Sequence, residues 1–278
     1  MAKATESYEN NPFTIGHNGI TLLFEKAKSV ALYAIVLCVV LFIFNAMSGE
    51  FDYKSAPLNE AQIAQQQTAN EAAVTAFFAQ DIGTLLLIGV LVATVVFLVI
   101  VISLWLYGAL EYTGAQLAKN HKTTLKEALR ESGKDLASYV WLWAIIIIKV
   151  LLWSLLFIIP GFIMAVRYSL AGTVFFAEGK RGNAAVKRSL ELTKGAWFTT
   201  FAGSALWNII TLGQISYLLQ PGINAVLYRQ FKPLTDSGKT KPNTHWLSIA
   251  TLVAPIALLG FVVSIGIMIA LLVTMFAG

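Results

Sequence analysis

Two cations stand inside apolar runs, where charge is costly. Lys149 lies about midway along Tyr139 to Ile159, and Arg167 lies within Gly161 to Ala177. A charge at the centre of a membrane helix costs about 3 kcal/mol on insertion scales. Arg167 falls about 9 Å beyond a turn at Pro160-Gly161, taking the helical rise. In an antiparallel hairpin the two cations then differ in depth by about one helical turn. Glu111 and Glu178 lie nearer the ends of their apolar runs, so no acid stands at matching depth. Two cations without a counter-charge can attract a phosphate, a carboxylate or a lipid headgroup. The structural alternatives are Arg167 bonding helix carbonyls and Lys149 snorkelling or deprotonating.

A second set of basic residues sits on two short amphipathic segments. Thr123 to Ser138 places Leu125, Leu129 and Leu136 near one face, with Lys126, Arg130 and Lys134 off it. Thr124 can cap this helix, and Glu127 completes a capping box. Asn183 to Gly195 repeats the plan, with Asn183 as cap, Val186 and Leu190 four apart, and Lys187, Arg188 and Lys194 as charges. Such helices lie in the headgroup region and attract anionic lipid, or pack under a bundle as connectors. Arg130, Lys187, Arg188 and Lys194 therefore join Lys149 and Arg167 as candidate anion- or lipid-binding residues.

Other chemistry is missing from the sequence. His17, His121 and His245 are scattered and have no metal-ligand spacing. There is no phosphate-cradling glycine loop with lysine, no nucleophile elbow and no HExxH, so no catalytic, metal or cofactor residue is assigned. The single Cys38 cannot form a disulfide within the chain. The net charge of +5 could suggest nucleic acid, but the basic residues flank apolar blocks and no groove-reading motif is present.

Only 13% of the 278 residues are charged and 57% are hydrophobic. A soluble domain carries roughly twice that charge. The surplus apolar surface needs lipid, and a hydrocarbon core about 30 Å thick needs about 20 apolar helical residues. Six blocks answer this description: Val30 to Met47, Ile82 to Tyr107, Tyr139 to Ile159, Gly161 to Ala177, Trp197 to Phe231 and Leu247 to Phe276. The expected fold is all-α, a polytopic transmembrane helical bundle with two amphipathic interfacial helices. Ala46-Met47-Ser48 looks like a cleavage site, but the long polar leader argues for a retained first helix. An Ala/Gln-rich surface helix is expected within Asn59 to Asp81.

Charge sets the expected orientation. Lys3, Lys26 and Lys28 mark the tail 1–29. Lys119 to Lys134 and Lys180 to Lys194 are basic connections, whereas 48–81 carries Lys54 alone against Glu50, Asp52, Glu60, Glu71 and Asp81. The positive-inside rule makes the tail and the basic connections cytoplasmic and 48–81 external. The fifth block must return its basic exit, Arg229 to Lys241, to the same side. A hairpin turning near Leu212-Gly213-Gln214 does this and is favoured, while a single crossing would reverse the C-terminus. The chain then divides into the tail, a pair of helices over 30–107, a core over 108–231, and a basic linker with a last helix over 232–278.

An internal repeat is visible. Lys126 to Arg130 leads to Trp141 and Pro160-Gly161, and Ala184 to Arg188 leads to Trp197 and Pro221-Gly222. Repeated membrane units often face each other around a central site.

Pro160-Gly161, Arg167, Glu178-Gly179, Ala185, Arg188-Ser189, Leu192-Thr193 and Gly195 lie within Ile159 to Phe201, and Leu227-Tyr228-Arg229 follows. This pattern resembles the membrane domain of the glycerophosphoryl diester phosphodiesterase family and its stand-alone relatives of unknown function. The likeness covers Thr123 to Phe231 and implies a helical membrane domain whose final aromatic-basic end lies inside. Some relatives carry a soluble phosphodiesterase domain. No matching acid/histidine cluster and no room for that domain are found here, so the activity is not expected. Lys149 and the C-terminal block depart from the family pattern. The expected role is non-enzymatic handling of membrane lipid, anionic lipid above all, or of a partner protein, in a bacterial-type inner membrane. The alternative is a transporter or channel that takes an anionic solute past Lys149 and Arg167.

Overall fold

The computed structural model describes residues 8–47, 60–78, 81–213 and 215–277. Lys3, Glu50, Asp52, Lys54 and Gln214, with much of the 48–81 connection, lie outside the described residues. Among those described, every regular element is an α-helix. In chain order these are α1 (Pro12–Lys26), α2 (Lys28–Met47), α3 (Glu60–Phe78), α4 (Ile82–Ala118), α5 (Leu125–Lys134), α6 (Leu136–Leu156), α7 (Ile158–Tyr168), α8 (Ala171–Glu178), α9 (Gly182–Thr193), α10 (Trp197–Ile210), α11 (Ser216–Asp236) and α12 (Trp246–Ala277).

Four stretches are long and apolar enough to cross a membrane: α4, α6, the pair α7–α8 and α12. The number rises to five if α1 and α2, bent by 119° at Ala27, count as one broken span. The outer faces of α6 and α12 expose Ile148, Leu152, Leu155, Ile256, Leu259 and Phe261. Bands of this size suit acyl chains and not water. The chain is a multi-pass membrane protein.

Two compact units divide the chain. One holds 39–104, with the end of α2, α3 and the exposed first part of α4. The helix α3 fulfils the expectation of a polar surface helix. The other unit holds the remaining described helices and the core. Tyr139, Leu142, Phe175, Leu192, Ile223 and Phe231 are at its centre, fully or almost fully buried.

Several expectations are corrected within this second unit. The supposed tail contains a packed helix. Asn11 caps α1 by accepting from the Phe13 N–H at 3.0 Å, and Pro12 occupies the first turn, where its missing N–H costs nothing. Ile15 and Leu23 are fully buried against α10, α11 and their neighbours. The backbones of α1 and α11 touch: a Cβ on Gly222 would stand 2.1 Å from the Gly19 carbonyl oxygen. Only glycine permits that approach.

The fourth block is broken. The α7 ladder stops at Tyr168, and the Arg167 carbonyl accepts from Ser189 Oγ at 2.7 Å and Thr193 Oγ1 at 3.3 Å. Side chains of α9 thus take the oxygen that a continuous helix would have bonded itself. The fifth block is two helices, α10 and α11, joined through 211–215, with Leu212 and Gly213 at positive φ. The turn falls where the hairpin was expected. Among the described residues neither arm is one of the helices long and apolar enough to span by itself, as suits a short hairpin. The internal repeat also weakens: Pro160-Gly161 lies in the first turn of α7, whereas Pro221-Gly222 lies inside α11.

Candidate functional site

Lys149 and Arg167 share no bonded partner among the described residues. Arg167 on α7 donates from Nη2 to the Leu190 carbonyl of α9 at 3.3 Å, which is the structural role weighed for it. Lys149 is half-buried on α6. Among the described residues no carboxylate lies within ion-pair distance of either.

The two amphipathic segments behave differently. In α5, Thr124 caps by accepting from Glu127 N–H at 3.3 Å, while the Glu127 carboxylate accepts from Thr123 and Tyr112. Ala128 and Ser132 face inward, and Lys126, Arg130 and Lys134 face outward. This helix keeps the expected charged outer face. It is shorter than expected because a break at Asp135 separates it from α6. The helix α9 is instead packed among α6, α7, α8 and α11. It begins at Gly182, so Asn183 is not its cap. Lys187 and Lys194 are exposed, but Arg188 is only 9% exposed and points into the protein. Arg188 therefore does not belong to the exposed charged face of α9.

Arg188 is the hub of a brace built from the family-like residues. Its Nε faces both Glu178 oxygens, at 3.1 and 3.2 Å, and its Nη1 meets Glu191 at 3.0 Å. Its Nη2 bonds Asp236 at the end of α11. Tyr228 of α11 donates to Glu178 at 2.9 Å, and Lys180 pairs with it at 2.8 Å. Burial opposes the Arg188 charge. The bonded carboxylates of Asp236, Glu191 and Glu178 outweigh burial, and the guanidinium is held above its usual range. Gly179 and Gly195 adopt φ of +67° and +76° and end α8 and follow α9. Gly161 makes room for Ser154. The motif residues Glu178, Gly179, Arg188, Ser189, Thr193, Gly195 and Tyr228 are thus engaged in joining α7, α8, α9 and α11. Pro160 lies in the first turn of α7, and Arg229 lies on α11 beside Tyr228.

Glu111, placed by the sequence only near the end of its apolar run, is the centre of a buried polar cluster. Glu111 on α4 is 3% exposed and accepts from Thr173 of α8 at 2.9 Å, Asn224 of α11 at 3.1 Å and Tyr107 at 3.2 Å. Gln220 donates in turn to Asn224 at 3.0 Å. Gly172 admits the carboxyl, since a Cβ there would stand 2.9 Å from Glu111 Cδ. The available signal was Tyr107 and Glu111 four apart, on one face of an apolar helix. Nearby, the Tyr139 hydroxyl and the Trp143 indole N–H are buried without a hydrogen-bond partner among the described residues.

This cluster lies behind the polar end of a cleft of about 440 Å³. Ile146, Ile147, Val150 and Leu151 of α6 form one wall, Ala165 and Tyr168 of α7 another, and Tyr107, Trp143 and Gln220 supply the polar end. Ile147 and Leu151 also belong to the exposed apolar face, so the cleft meets the lipid-facing surface. Neither Lys149 nor Arg167 lines it. A second pocket, of about 750 Å³, lies between the turn after α9 and the link from α11 to α12, with Lys194, Lys239 and Lys241 in its walls.

No family model, no curated protein and no solved structure matches this chain.

Proposed function

We propose that this multi-pass membrane protein handles lipid without catalysis, and that the cleft beside α6 seats one apolar chain with its polar end toward Gln220 and Tyr107. The observation that carries the reading is the cleft itself. Its walls are mostly apolar, with Tyr107, Trp143, Tyr168, Ser169 and Gln220 as its few polar groups, and its volume falls in the range of small-ligand sites, about 300–1,000 Å³. An amphipathic molecule has that distribution, and a lipid can enter sideways from the exposed face of α6. The placing of basic residues supports an inner-membrane setting with a cytoplasmic N-terminus. The family resemblance belongs to the same proposal and adds a membrane role without an activity. An anion path over Lys149 and Arg167 has less support, because the Leu190 carbonyl engages Arg167 and the cleft lies elsewhere.

The test is native mass spectrometry of the full chain purified in mild detergent. Val150→Trp fills the cleft, and Leu155→Trp alters only the outer face. Bound lipid is expected to fall about tenfold in the first, equivalent to ~1.4 kcal/mol, and to persist in the second. Equal lipid retention in both variants would refute the reading.

A further inference from the structure

We propose that the pocket between the turn after α9 and the link from α11 to α12 is a phosphate-binding site, held by Lys194, Lys239 and Lys241. The phosphate can belong to a phospholipid headgroup or be free in solution; the chemistry of recognition is the same. This pocket is built from different elements than the cleft, and the inference stands without it.

The charges in the pocket are unevenly matched. Glu191 and Asp236 line it, but both bond Arg188, and Asp236 also bonds Lys232 at 2.6 Å. Among the described residues, Lys194, Lys239 and Lys241 have no carboxylate within ion-pair distance. The open part of the wall is therefore cationic. Lys241 is the informative member. Its ammonium donates to the Lys194 carbonyl at 2.7 Å and lies 5.2 Å from the centre of the Phe231 ring. Both contacts are with neutral groups, and both hold the side chain in place before any ligand arrives. Burial first, and the Lys194 charge second, bring Lys241 down to about 8. An anion in the pocket would relieve both effects.

Two further features fit phosphate. Lysines bind phosphate as point charges, and several around one group match its multiple oxygens and negative charge. The apolar helix α12 begins at the exposed Trp246, shortly after Lys241, which sets the pocket near headgroup level.

The full chain in neutral detergent is titrated with inorganic phosphate by calorimetry. In parallel, nanodiscs of phosphatidylcholine with added phosphatidylglycerol are examined by native mass spectrometry. Saturable binding of either probe is expected, weakened about fivefold by each of Lys194→Gln, Lys239→Gln and Lys241→Gln and unchanged by Lys119→Gln. Binding of inorganic phosphate alone identifies a soluble ligand, and retention of phosphatidylglycerol alone identifies a headgroup; each supports the site. If neither probe binds, or binding ignores all three lysines, the proposal fails. Lys239→Gln decides the matter if the Lys241 variant does not fold, because the Lys239 side chain makes no bond among the described residues.

Discussion

Replacing Arg188 by Met separates a structural brace from a lipid ligand. The Arg188 side chain is 10% exposed and that of Glu178 is 13% exposed. Removing one partner of a buried pair costs about 3–5 kcal/mol, because the other charge is left uncompensated. Lys180 and Tyr228 remain on Glu178 and bring the figure to the lower end. Glu191 and Asp236 are 60% and 43% exposed, so water screens them and each adds ~0–1 kcal/mol. The expected loss is ~3 kcal/mol, or about 6–12 °C in melting temperature for a chain of this size. Tryptophan fluorescence during heating of the detergent-solubilised chain reads it directly. A double-mutant cycle with Glu178→Gln should show coupling of about 2 kcal/mol. A melting temperature within about 2 °C of the parent, or strict additivity in the cycle, would refute the brace. A ligand on an outer face would instead leave melting unchanged and reduce bound lipid.

Three further outcomes follow. Gly222→Ala drives a methyl into the Gly19 carbonyl and should cost at least about 1–3 kcal/mol by overpacking, visible as a lower melting temperature. Phosphate affinity should fall by up to about fivefold between pH 7 and 9 as Lys241 loses its proton, with Lys194, Arg188 and Glu191 facing it from α9 and the turn after it, Asp236 from α11 and Lys239 from the link. Without ligand the sign reverses: the lysine is lowered from 10.5 to about 8 in the folded chain, so the unfolded chain holds the extra proton between those values. Stability then rises with pH across that window, by an amount reduced because Lys241 is only half-buried. Calorimetry and melting curves across the pH series check the two signs separately.

The membrane class was legible because lipid-facing helices need long apolar runs, and α4, α6 and α12 have them. The turn between α10 and α11 was legible from Leu212-Gly213, which interrupts an apolar block. The break after Tyr168 was not, since it depends on Ser189 and Thr193 arriving from another helix to take the Arg167 carbonyl. Arg188 misled for the same reason. On a helical projection it reads as outer charge, and only Glu178 and Asp236 from distant segments turn it inward. Glu111 could be seen but not placed, because its donors Thr173 and Asn224 lie on other helices. The phosphate pocket draws on Lys194 and on the α11–α12 link, which the sequence treats as separate basic signals.

The contact between Gly19 and Gly222 has a consequence for biosynthesis. The helix α1 leaves the ribosome before the surface that receives it, which lies roughly 200 residues downstream and follows about 10–40 s later. Until then Ile15 and Leu23 have no finished seat, and α1 must wait in the headgroup zone or on a chaperone. Closure of this part of the bundle therefore waits until α11 has been made.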